Sequence, residues 1–155
     1  MIPVQHIHPM IVHFPIVLVF LLLGFDTIAS FMGKSITGRT VAGNLSLTLA
    51  LLAAASAIAA FVFGGMALDV AESTGFHSDV AEMHESLGTA VAVAFTAYAV
   101  VRALLWWLNV RLTGASAFTF AIVALVGCAL VSATAFYGGQ LVYELGVNVT
   151  RVALN

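Results

Sequence analysis

The chain has 155 residues, a net charge of −2, 62% hydrophobic residues and only 8% charged ones. A soluble domain carries about 25% charged residues, so most of this surface must face something other than water. No basic patch points to nucleic acid, and the single Cys128 excludes a disulfide within the chain.

Four apolar stretches, about 9–32, 41–68, 85–108 and 115–137, each reach the roughly 20 residues that a membrane-spanning helix needs. Only short loops and tails remain. The expected fold is therefore an all-α membrane protein, a single domain over 1–155 built as an up-down-up-down bundle of four transmembrane helices. No Lys or Arg precedes the first stretch and no small-x-small pattern follows it, so it reads as a retained helix rather than a cleaved leader.

The first span opens on His6-Ile7-His8-Pro9-Met10-Ile11-Val12-His13-Phe14-Pro15. Pro9 suits a first helical turn. Pro15 lies deeper and should kink the helix. Asp26 lies near the far end, at a depth comparable to Arg102 on the third span. A charge inside a bilayer seeks a partner, so the two are expected to pair. The second span is rich in Ala, Leu and Ser, which suits close helix packing, and ends in Phe63-Gly64-Gly65. Asp69, Glu72, His77, Asp79, Glu82, His84 and Glu85 then crowd the second loop and the start of the third helix. Trp106 and Trp107 beside Arg102 and Arg111 resemble an interfacial belt. The fourth span ends in Tyr137-Gly138-Gly139.

Lys34, Arg39, Arg102 and Arg111 lie at or near the first and third loops, and the second loop has no basic residue. The positive-inside rule then places the chain in a cytoplasmic (inner) membrane with both termini and the His-rich loop outside. Arg151 in the tail is the single exception. In this topology all five histidines gather at the outer face. His6/His13 and His77/His84 share an i, i+7 step with an offset of 71, and the two aromatic-Gly-Gly triplets are offset by 74. These spacings suggest two repeated helical hairpins related by an axis along the membrane normal.

Three readings of the outer end follow. In the first, His13 and His84 face each other at equal depth as axial ligands of a haem b, as facing bundle helices can provide. Gly64, Gly65, Gly88, Gly138 and Gly139 then leave room for the macrocycle. The protein would be a redox carrier or subunit rather than a stand-alone enzyme, exchanging electrons with an outward-facing redox protein or a membrane redox complex. In the second, His6, His8, His13, His77 and His84, with nearby carboxylates, bind a Cu, Zn or Fe ion. In the third, the chain is a cofactor-free scaffold or assembly subunit. There is no His-Glu-x-x-His motif and no Gly-x-Ser-x-Gly elbow to suggest hydrolysis.

The run His8-Pro9-Met10-Ile11-Val12-His13-Phe14-Pro15 resembles the His-Pro-x-x-Val-His-Phe-Pro opening of the bacterial membrane family called domain of unknown function 2231. His84 matches a histidine before that family's third span. Tyr137-Gly138-Gly139-Gln140-Leu141-Val142-Tyr143 matches its closing pattern. Many members continue with His-Gly-Val where this chain has Leu145-Gly146-Val147, so no ligand role falls on that tail position here. The resemblance covers nearly the whole chain. It implies electron transfer only by association, through relatives joined to or encoded near Rieske or cytochrome c domains, and it does not choose between haem and metal ion.

Overall fold

The computed structural model describes residues 3–149. Arg151 lies outside the described residues. A 3-10 turn at Val4–His6 leads into α1 (Ile7–Ile11), α2 (His13–Phe31), α3 (Val41–Glu72), α4 (Asp79–Trp107) and α5 (Ala115–Tyr143). The first turn, α1 and α2 together form one span, Val4–Phe31, so four helical spans are long and apolar enough to cross a membrane. The chain is a four-helix membrane bundle.

Local chemistry accounts for the helix limits. α1 and α2 are separated at Val12. Pro15 has no N–H to give to the carbonyl of Ile11, so the ladder loosens one turn before the proline. α2 ends on Gly33 at φ +68°, with Lys34 N–H donating to Ala29 O at 2.9 Å and Gly33 N–H to Ser30 O at 3.0 Å. α4 ends in the same way on Asn109 at φ +51°, with Val110 N–H to Leu105 O and Asn109 N–H to Trp106 O. Both are Schellman caps with a left-handed residue.

Three helices run further than the apolar runs predict. α3 continues past 68 to Glu72, and α5 runs past 137 through Gly138-Gly139 to Tyr143. α4 starts at Asp79 rather than near Glu85. Ser78 caps it by accepting from Val80 N–H at 3.2 Å, and Asp79 and Glu82 fill the first turn, where carboxylates favour the positive end of the helix dipole. At about 1.5 Å per residue, α3 is about 48 Å long, well beyond a hydrocarbon core of about 30 Å. The helix is therefore longer than the apolar layer it crosses, and its charged residues Asp69 and Glu72 fall in its last turn.

Helices α2 and α4 each lie beside both α3 and α5, while α2 and α4, and α3 and α5, have no closely adjacent backbones; α2 and α4 meet through long side chains such as Asp26 and Arg102. The four spans form a square with like-numbered hairpin members on the diagonals. The core is made of small residues, Ala50, Ala53, Ala54, Ala57, Ala99 and Cys128, around Val19, Leu22, Phe95 and Val131. Small side chains let membrane helices approach closely. Phe31, Val41 and Leu108, 77%, 88% and 67% exposed, point away from it, as a lipid-facing surface requires.

The end of the bundle opposite the histidines is closed by a buried polar node. Arg102 Nη1 lies 3.1 Å from Asp26 Oδ2, with the two residues 2% and 0% exposed. The pair expected from sequence is present. Arg102 Nη2 also donates to Ile36 O at 2.8 Å, Ser46 Oγ donates to the other carboxylate oxygen of Asp26, and the Tyr98 hydroxyl donates to Oδ2 at 3.4 Å. Phe120 lies 4.8 Å from the guanidinium, close enough for a cation–π contact. Thr37, Arg39, Asn44 and Asn109 knit the adjoining loops to Trp106, Trp107 and Leu112.

Candidate cofactor site

A cavity of about 500 Å³ opens between the four spans at the other end. It is formed by the start of the first span, the last turns of α3, the first turns of α4 and the last turns of α5. Two imidazoles stand against each other in it. The rings of His8 and His84 are 6.0 Å apart, centre to centre, with their planes at 81°.

Each ring is held in the same way. His8 Nδ1 is 2.9 Å from the carbonyl of Ala60 on α3, and His84 Nδ1 is 2.9 Å from the carbonyl of Thr134 on α5. A carbonyl only accepts, so Nδ1 carries the proton in both bonds. In the neutral ring Nε2 then keeps its lone pair and can serve a metal. An Nδ1–H to carbonyl bond is one of the ways in which a metal-ligating histidine is oriented.

The helices come very close to the rings. A Cβ placed on Gly64 would sit 3.0 Å from His8 Cε1, and one on Gly138 would sit 2.9 Å from His84 Cε1. Gly65, Gly88 and Gly139 also line the cavity, but a Cβ on any of them would meet nothing within 4 Å.

All five glycines named from sequence, with His8, His13 and His84, line this one cavity. The ring that faces His84, however, belongs to His8 and not to His13. His13 is exposed and follows the break at Val12, which divides it from the segment that carries His8. His6 and His77 are exposed and do not line the cavity. Among the described residues no three His, Cys, Asp or Glu side chains come together in a group able to hold a metal ion. Asp69, Glu72, Asp79, Glu82, Glu85 and Glu144 are all exposed, and Glu85 is the one among them that lines the cavity.

The repeat also has a different register from the one suggested by the i, i+7 histidine pairs. His8 and His84 are 76 residues apart, as are Gly33 and Asn109 at the Schellman caps and Asp26 and Arg102 in the buried node. On the second helix of each hairpin the offset is 74: Ala60 with Thr134, Gly64 with Gly138, and Ser46 beside Asp26 with Phe120 beside Arg102. The signal for His8 was therefore in the sequence, in the spacing of the very pair chosen as Asp26–Arg102.

No curated protein and no solved structure matches the chain. The family described as "Predicted membrane protein (DUF2231)" matches residues 5–151. That match spans both hairpins and the facing histidines, and the chain belongs to this family.

Proposed function

We propose that the chain is a membrane electron carrier that holds one haem b between His8 and His84. The observation that carries this reading is the pair of equivalent imidazoles, 6.0 Å apart and each bound through Nδ1 to a backbone carbonyl. Two imidazole nitrogens that each lie about 2 Å from one metal put their ring centres about 6 Å apart. His8 and His84, whose ring planes lie at 81°, would hold the group between them. The cavity volume of about 500 Å³ lies within the roughly 300–1,000 Å³ of small-molecule and cofactor sites. Gly65, Gly88 and Gly139 leave the open space that a flat group needs.

Zn and Fe sites ordinarily take three or four protein donors, and no third His, Cys, Asp or Glu joins the pair among the described residues. Haem brings its own equatorial nitrogens and asks the protein only for axial ligands. This favours haem over the bare Cu, Zn or Fe ion. Bound haem would supply one-electron exchange. With His8 and His84 both as ligands no open position would be left, which favours electron transfer over oxygen chemistry. His8 and His84 would hold the iron from opposite hairpins, and their Nδ1 bonds would fix the ring angles.

The proposal includes an orientation. Lys34, Arg39 and Arg111 sit in the loops of the Asp26–Arg102 end, and residues 3–78 outside that loop region carry no other Lys or Arg. The positive-inside rule puts that end in the cytoplasm of an inner membrane and the histidine end outside. The partner would then be an outward-facing redox protein or a membrane redox complex.

The test is the visible spectrum of protein purified from cells with ample haem. Sharp low-spin bands after dithionite reduction are the expected result. A colourless preparation overturns the haem reading.

A further inference from the structure

The five cavity glycines fall into two groups. Gly65, Gly88 and Gly139 face open space, whereas Gly64 and Gly138 lie against the imidazoles themselves. We propose that Gly64 and Gly138 are positioning residues: by lacking a Cβ they let each histidine reach a helix carbonyl one turn earlier, which sets the ring angle and leaves Nε2 for the ligand. This rests on the haem reading for its purpose, but the arrangement itself is a property of the protein alone.

The geometry follows from helix stereochemistry. A Cα–Cβ bond tilts toward the helix N-terminus, so the Cβ of residue i+4 covers the carbonyl of residue i. Gly64 is four residues after Ala60, and Gly138 is four after Thr134. These are the two carbonyls that accept from His8 and His84. A carbonyl has two lone pairs, one for the helix ladder and one for a further donor. At Ala60 and Thr134 the imidazole approaches that second lone pair through the space that a Cβ on the residue one turn on would occupy. A methyl at 64 would stand 3.0 Å from Cε1 and 3.1 Å from Nδ1 of His8, and one at 138 would stand 2.9 Å from Cε1 of His84. The nearest atoms belong to the imidazole rings, so the rings would have to shift to make room, which strains the Nδ1 bonds. The same three-part device, imidazole, carbonyl and glycine four residues later, occurs once in each hairpin.

The experiment uses the full chain without haem, labelled with ¹⁵N at histidine, in lipid. In wild type both His8 and His84 should show the Nδ1–H tautomer with a hydrogen-bonded shift. Gly64→Ala should move the His8 nitrogen signals and leave those of His84, and Gly138→Ala should do the reverse. Gly24→Ala, where an added Cβ meets nothing within 4 Å, should leave both unchanged. In the haem-loaded protein each cavity variant should bind about 10–100-fold more weakly, as when an outer-shell partner of a metal ligand is lost. Unchanged His8 signals in Gly64→Ala and unchanged His84 signals in Gly138→Ala would overturn the proposal, even if the wild type binds haem. If an alanine chain does not fold, the wild-type spectrum still decides, because an Nε2–H tautomer at His8 or His84 is incompatible with it. A colourless wild type, by contrast, would remove the haem reading and leave the tautomer result standing.

Discussion

The two ends of the bundle use equivalent positions of the two hairpins in opposite ways. At one end the repeat places Asp26 against Arg102, and at the other it places His8 against His84, each pair 76 residues apart. The unlike pair completes itself: carboxylate meets guanidinium, and Ser46, Tyr98 and the Ile36 carbonyl take up remaining capacity. The like pair cannot. Both Nδ1 atoms are already bound to carbonyls, and two Nε2 lone pairs have nothing to give each other. A cavity of about 500 Å³ surrounds the like pair. One end is therefore a structural lock, and the other leaves two imidazole lone pairs unused, as the proposed ligand would require.

This contrast is broken most severely at the lock. Asp26→Ala would leave Arg102 buried and unpaired, at a cost of about 3–5 kcal/mol, read as loss of folded protein on heating or on titration with a denaturing detergent. The double change Asp26→Leu with Arg102→Met removes both charges and should come back to near wild-type stability, since apolar replacements of a buried pair are often neutral. A double variant as unstable as Asp26→Ala would mean that the node does more than neutralise itself. The gentlest perturbation sharpens which way the two ends face. Reporter fusions at Gly75 and Gly38 should report opposite sides of the membrane, with Gly75 outside. An external Gly38 would reverse the orientation.

Much of the lock was legible in the sequence, and the open end only in part. An isolated Asp and Arg in apolar spans have few ways to be tolerated, so Asp26 and Arg102 named each other. His84 was legible as a ligand candidate, and the glycines as lining. The partner of His84 is marked only by the 76-residue spacing shared with Asp26 and Arg102, because His8 and His13 lie five residues apart on a stretch whose helix is interrupted at Val12. Spacing along an ideal helix does not carry through such a break. The i, i+7 match of His6/His13 with His77/His84 gave an offset of 71, whereas the chain folds on 76. The helix limits were missed for a related reason. Glycine costs about 1 kcal/mol in a helix interior, so the Gly pairs read as marks of the closing ends of spans two and four. In the folded chain Gly64 and Gly138 each let a helix lie against a histidine ring.

The central claim is that His8 and His84, and not His13, hold the ligand together. It is tested most directly by titrating haem into the apoprotein of wild type, His13→Ala, His8→Ala and His84→Ala, while following the low-spin spectrum. Wild type and His13→Ala should saturate at one haem per chain with the same low-spin bands, and the other two should form no such species. Loss of the bands in His13→Ala with retention in His8→Ala would contradict the account.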